Sequence, residues 1–114
     1  MTKNEANGIW VFAEQKNGVL DKTSLELISK ALELKHTTGE EVTALLVGSD
    51  VAELVDTLIA YGADKVIVAE NENLKSYSGR PYQKVVAEIT AKYKPSIFIF
   101  PATAQGRDLA PRVM

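Results

Sequence analysis

Four short apolar runs punctuate the chain: IWVFA at 9–13, VTALLVG at 42–48, KVIVA at 65–69 and SIFIFP at 96–101. Each is continuous rather than alternating and rich in Val, Ile and Phe, the pattern of a strand whose sheet is covered on both faces. Between them apolar residues recur with helical period. Leu25, Ile28, Ala31, Leu32 and Lys35 mark one stripe, opened by the Thr23 and Glu26 spacing of a capping box and closed by Gly39. Val51, Leu54, Val55, Leu58 and Ile59 mark a second, with Asp50 and Glu53 at its start and Gly62 as its stop. Tyr82, Val85, Val86, Ile89 and Tyr93 mark a third, which begins near Pro81 and cannot continue past Pro95.

Strand and helix therefore alternate, and parallel strands joined by right-handed helical crossovers stack as a three-layer α/β/α sandwich with a mainly parallel sheet, Rossmann-like in type. The fourth strand should lead into a fourth helix at about Arg107, of which one or two turns are expected, so the fold is expected to be truncated at its C-terminus. Apolar surface that further elements would cover is then open to self-association.

Composition narrows the class. The chain has 114 residues, 46% hydrophobic and 25% charged, which suits one folded domain able to bury roughly two thirds of its unfolded surface. A formal net charge of -2 gives no electrostatic reason to expect nucleic acid or an anionic membrane. Without cysteine there is no disulfide, thiolate nucleophile or thiolate metal ligand, so redox chemistry must come from a bound cofactor. The start MTKNEANGIW has no signal-peptide core and no run reaches membrane-span length, which makes the cytoplasm the expected location.

Ligands of open parallel sheets bind beyond the carboxyl ends of the strands, where the strand order reverses. The loops at 14–17, 48–50, 70–73 and 101–107 would lie there. The first, EQKNG, has no Gly-x-Gly-x-x-Gly, and no phosphate loop occurs elsewhere. His36, the single histidine, falls in the last turn of the first helix and reads as a surface residue suited to the helix dipole. Without a second histidine or a cysteine, no transition-metal site is expected. Glu70 and Glu72 could form an acid/base pair, but loop solvation explains them better. Trp10 reads as core. Tyr77, Arg80 and Tyr82 suit either a partner-facing surface or ordinary packing. In ATAQGRDLAPR, Thr103 could cap the coming helix and Gly106 supplies backbone freedom. Arg107 and Arg112 place cations near a helix start, which suits either an acidic or phosphate ligand or two surface arginines. Thr103, Gln105, Gly106 and Arg107 are the weak candidates for a cofactor contact, and no catalytic residue is expected.

The stretches GIWVFAEQKNG, LELISKALEL, LIAYGADKVIVAE and PATAQGRDLAPRV together resemble the N-terminal domain of the electron transfer flavoprotein alpha subunit and its FixB-type relatives, over residues 8–114. The resemblance implies an α/β domain related to the adenine nucleotide α-hydrolase-like folds. It also implies a heterodimeric electron carrier, not itself an enzyme, that takes electrons from flavin dehydrogenases such as the acyl-CoA dehydrogenases of fatty acid oxidation and passes them on. The FAD of that complex is implied to reside mainly in a C-terminal domain absent from residues 1–114. This domain would be the scaffold packing on the beta subunit, with no FAD tightly bound. The alternative is a free-standing adenine-nucleotide-binding domain of universal stress protein type, which Gln105-Gly106-Arg107, with one glycine, fits poorly.

Overall fold

The computed structural model describes residues 7–77 and 79–113. The expectations for residues 1–6 and for Met114 lie outside them.

Strand β1 (Ile9–Ala13) runs into a small hairpin, β2 (Gln15–Lys16) and β3 (Val19–Leu20), before helix α1 (Lys22–Thr38). Then come β4 (Val42–Gly48), a 3-10 turn at 52–54, α2 (Val55–Ala60), β5 (Lys65–Glu70), a second 3-10 turn at 72–74, α3 (Gly79–Tyr93), β6 (Ile97–Ile99) and α4 (Ala104–Val113). The main sheet has the order β5-β4-β1-β6 and is wholly parallel, with Ile9 beside both Val42 and Ile97. The expected sandwich is thus present.

Both faces of the central strands β1 and β4 are buried, which is why they read as unbroken apolar runs, whereas β5 and β6 at the edges are only partly buried and Val68 is exposed. Ile9, Val11, Val42, Ala44 and Leu46 point towards α1 and α2, where Ile28, Ala31 and Leu58 meet them. Trp10, Phe12, Leu45 and Val47 point the other way, against Tyr82 and Val86 of α3 and Leu109 of α4. Trp10 is core, as its position in β1 predicts.

Three boundaries differ from the sequence expectation. Helix α1 starts two residues earlier than a Thr23 cap allows: Asp21 is the cap, and Thr23 N–H donates to its Oδ1 at 2.8 Å. The second helix is short and its cap comes from a distant strand. Asp50 adopts φ 59°, so it turns the chain instead of capping it, while Glu70 Oε2 accepts from the N–H groups of Val51 and Ala52 at 2.8 and 3.3 Å. Ile59, assigned to that helix's buried stripe, is 45% exposed. Helix α4 begins at Ala104, ahead of the expected Arg107, and runs for 10 residues. Thr103 is its cap, as expected: Oγ1 accepts from Gly106 N–H at 3.1 Å. Gly39 ends α1 with φ 75°, the left-handed conformation assigned to it.

At the amino edge of the sheet, carboxylates tie the layers together. Asp64 accepts from Val42 N–H at 2.9 Å and receives Lys35 Nζ on both oxygens at 2.9 Å. Glu40 Oε1 accepts from Gly8 N–H and Ser96 Oγ at 2.7 and 2.6 Å. The Val42 amide, then Lys35, hold Asp64 below the usual carboxylate range; the Ser96 hydroxyl, then the Gly8 amide, do the same for Glu40.

Candidate functional site

The chain lays β4 and β5 on one side of β1, then crosses to place β6 on the other. The strand order therefore reverses between β1 and β6, and the crevice at their carboxyl ends is the place where such folds bind ligands. Glu14 follows β1 and Thr103 follows β6. The Thr103 hydroxyl donates to Glu14 Oε1 while accepting from Gly106, so one side chain starts α4 and bridges the two strand ends. Ser24 anchors the same corner, accepting from Glu14 N–H at 2.7 Å.

A cleft of about 570 Å³ opens above this junction. Lys16 and Asn17 of the hairpin form one wall, Lys75 and Tyr77 the other, and Gln105 closes the end. The hairpin was not anticipated as an element. Asn17 and Gly18 take φ 54° and 81°, the left-handed pair that closes a two-residue hairpin turn, and the Asn-Gly dipeptide is the sequence signal for it. Gln15, 6% exposed, fastens the hairpin to the sheet: its Nε2 donates to Val47 C=O at 3.2 Å and its Oε1 accepts from Gly18 N–H at 2.9 Å.

This arrangement changes the chemistry available at the crevice. In a dinucleotide fold the first turn runs directly from strand into helix, and the helix N-terminus receives the pyrophosphate. Here the hairpin intervenes, and the Asp21 carboxylate already occupies the start of α1. A phosphate there would meet a negative charge.

The far wall is braced by Tyr77, whose hydroxyl donates to Asp108 Oδ2 at 2.5 Å, and by Arg112, whose Nε donates to the same oxygen at 3.1 Å. Burial, then the Asp108 hydrogen bond, push the Tyr77 phenol up to about 12. The Tyr77 hydroxyl and Arg112 hold Asp108 below its ordinary value. The Tyr77 ring also lies edge-on to Tyr82, with centroids 4.9 Å apart, and Tyr82 is buried, its hydroxyl donating to Leu74 C=O at 3.0 Å. Of the residues that suited partner or packing, the two tyrosines pack and Arg80 is exposed.

The remaining candidates separate in the same way. Arg112 is committed to Asp108, whereas the Arg107 guanidinium is exposed and has no bonding partner among the described residues. Gln105 lines the cleft. Gly106 is buried for a reason other than backbone freedom: a methyl group there would overlap the Pro101 carbonyl oxygen, so α4 can approach the end of β6 only without a side chain. Glu70 is a backbone cap, not half of an acid/base pair with Glu72, and His36 is exposed in the last turn of α1. No group of three or more His, Cys, Asp or Glu side chains is placed to hold a metal among the described residues. The Asp108 contact with Tyr77 and the Gln15 contact with Val47 join residues 31 and 32 positions apart, which no local sequence signal reveals.

Set beside known proteins, residues 9–113 match the electron transfer flavoprotein domain family. The chain belongs to that family. It is 43% identical over 113 residues to the electron transfer flavoprotein subunit alpha of Clostridium acetobutylicum, covering 99% of this chain and 34% of that protein. It is 45% identical over 106 residues to protein FixB of Clostridium saccharobutylicum, covering 93% and 31%. It is 41% identical over 109 residues to the acryloyl-CoA reductase electron transfer subunit beta of Anaerotignum propionicum, covering 96% and 30%. The chain thus spans about a third of the length of the curated relatives it matches. No described helix is long and apolar enough to cross a membrane.

Proposed function

We propose that this chain is the N-terminal α/β scaffold of an electron transfer flavoprotein alpha subunit, packing on a beta subunit in a carrier that moves electrons from flavin dehydrogenases through FAD. The observation that carries the reading is the family match across residues 9–113 together with relatives named as electron-transfer subunits. The crevice is consistent with a scaffold role: the hairpin and Asp21 stand where a dinucleotide fold receives its pyrophosphate, and the redox group belongs to a separate FAD domain. Thr103, Gln105, Gly106 and Arg107 then serve chiefly to build α4 and the cleft wall, and the cytoplasm is the compartment.

The test is reconstitution. The chain purified alone should be colourless and should not retain added FAD on gel filtration. Mixed with the beta subunit of a close relative, it should co-elute with it. Stoichiometric FAD on the isolated chain, or failure to associate with any such beta subunit, would overturn the proposal.

A further inference from the structure

At the amino end of the sheet, the residues that face α3 form a row that changes character from strand to strand. Trp10 lies beside Thr43 and Thr43 beside Lys65, so indole, hydroxyl and ammonium follow one another on strands about 4.8 Å apart. Thr43 is the polar side chain in the otherwise apolar run VTALLVG. Helix α3 leaves β5 for β6, and its last residue, Tyr93, stands by Trp10 with ring centroids 6.0 Å apart. The amino end of β5 is therefore uncovered on this face. A cleft of about 690 Å³ opens there, floored by Trp10, Thr43 and Ile67 and walled by Tyr93. It lies at the opposite end of the strands from the crevice between Glu14 and Thr103.

The polar groups of its floor are deep but unpaired. Trp10 and Thr43 are 3% and 5% exposed, yet neither the indole N–H nor the hydroxyl has a hydrogen-bond partner among the described residues. Neither atom is sealed in, because no side-chain nitrogen or oxygen of the described residues is both fully buried and unbonded. Both therefore open into the cleft that their residues line. Polar groups at this depth are rarely left without a partner, since the lost hydration is not replaced. The indole is also held in place. On its far side it begins an aromatic row of Trp10, Phe98, Phe100 and Phe12, with successive centroids 5.6, 4.4 and 5.6 Å apart. Gly8, at φ 101°, leaves the approach to its nitrogen clear, for a methyl group there would stand 3.4 Å from Nε1.

We propose that this cleft binds a flat aromatic amide, its ring against Tyr93 and Ile67 and its amide on Trp10 and Thr43. An indole N–H only donates, so it selects a carbonyl oxygen. The hydroxyl beside it then accepts from the neighbouring N–H, and an amide edge, like that of a nucleobase, satisfies both groups at once. A carboxylate could also take two donors, but charge opposes it. Lys65 is already paired with Glu41 at 3.0 Å, so an anion entering beside it meets a carboxylate. Tyr93 is 49% exposed and offers a second ring the edge or face that aromatic pairs favour. The volume is that of a small-molecule site. This site is independent of the electron-transfer reading, since it lies at the other end of the sheet and shares no residue with the crevice.

Trp10 is the only tryptophan of the chain, so its indole N–H gives a single NMR resonance that reports the contact directly. Titrated with benzamide, that resonance and the backbone amides of Ile67 and Tyr93 should shift together, with a Kd of roughly 1 mM. Toluene, which has the ring without the amide, and benzoate, which adds the charge, should each bind roughly tenfold more weakly. Thr43→Val keeps the branched shape and removes the hydroxyl. It should weaken benzamide roughly tenfold, leave toluene unchanged and leave Tm equal or higher, because no bond is lost. An indole resonance unmoved by benzamide at about 10 mM overturns the proposal, as does toluene or benzoate binding as tightly as benzamide. So do shifts centred on Gln105 and Tyr77 instead, or a Thr43→Val chain with undiminished affinity. A lower Tm for that variant overturns it too, because the hydroxyl would then be bonded already.

Discussion

The Thr103 hydroxyl is hydrogen-bonded to the Glu14 carboxylate across 89 residues of sequence, and the bond spans the point where the sheet reverses its strand order. The same oxygen caps α4. Replacing Thr103 by Val keeps the shape but removes both bonds and leaves Glu14 without this donor. A cap costs about 0.5–2 kcal/mol and a hydrogen bond to a charged group about 1.5–3 kcal/mol, so Thr103→Val should destabilise by roughly 2–3 kcal/mol, given that the site is only half buried. Urea unfolding checks this, and Thr103→Ser, which retains the hydroxyl, should recover most of the loss.

Gly106 yields the sharpest packing prediction. Any Cβ would overlap the Pro101 carbonyl, a backbone atom that cannot swing aside. Gly106→Ala normally favours a helix by about 1 kcal/mol, but here α4 must shift off β6, and overpacking of this kind costs about 1–3 kcal/mol. The expected outcome is a lower Tm with loss of the near-ultraviolet signal from the aromatic row. A Tm at or above that of the unaltered chain would contradict the geometry.

Stability should decline on the acid side. Asp64 and Glu40 are held below their ordinary values in the folded chain, so the unfolded chain binds protons first as pH falls. Their contribution is complete above the unfolded carboxylate range of roughly 4 and is lost as pH falls through the lower folded values. Both carboxylates are largely solvated, so the loss is modest. Asp64→Asn should flatten this limb in a series of urea titrations across acid pH, and its stability should match that of the parent at the lowest pH.

On the alkaline side the sign reverses for Tyr77. Its phenol is raised to about 12, so the unfolded chain loses that proton first, and stability falls as pH climbs from roughly 10 through the folded value. Spectrophotometric titration should show one phenol ionising near 12, and Tyr77→Phe should remove it. Because that substitution also frees Asp108 and Arg112 from their shared contact, it should loosen the 75–77 loop, seen as faster exchange of its amides.

Much of this fold is legible in the sequence because its signals are local or periodic. The unbroken runs at 9–13 and 42–48 announce strands covered on both faces, and Gly39 and Thr103 act at the helix ends where their chemistry places them. What resists reading is long-range or depends on close approach. Glu70 looks like an exposed loop carboxylate until β5 brings it over the amides of Val51 and Ala52. The role of Gly106 is set by Pro101, and that of Asp108 by Tyr77 as well as by Arg112 one helical turn on; of these only the Arg112 pair follows helical spacing. The hairpin at 15–20 differs from these, since Asn17-Gly18 is itself a strong local signal for a two-residue hairpin turn.

The central place of β1 has a consequence in time. It leaves the ribosome before the other described strands, yet its two neighbours are β4, beginning at Val42, and β6, beginning at Ile97. During synthesis its five buried residues have no complete lodging until the chain has been made as far as β6. Such late closure slows folding and leaves a nascent apolar strand exposed for seconds at ordinary elongation rates. IWVFA is thus the segment of this chain with the longest wait and the greatest need of a chaperone's shelter.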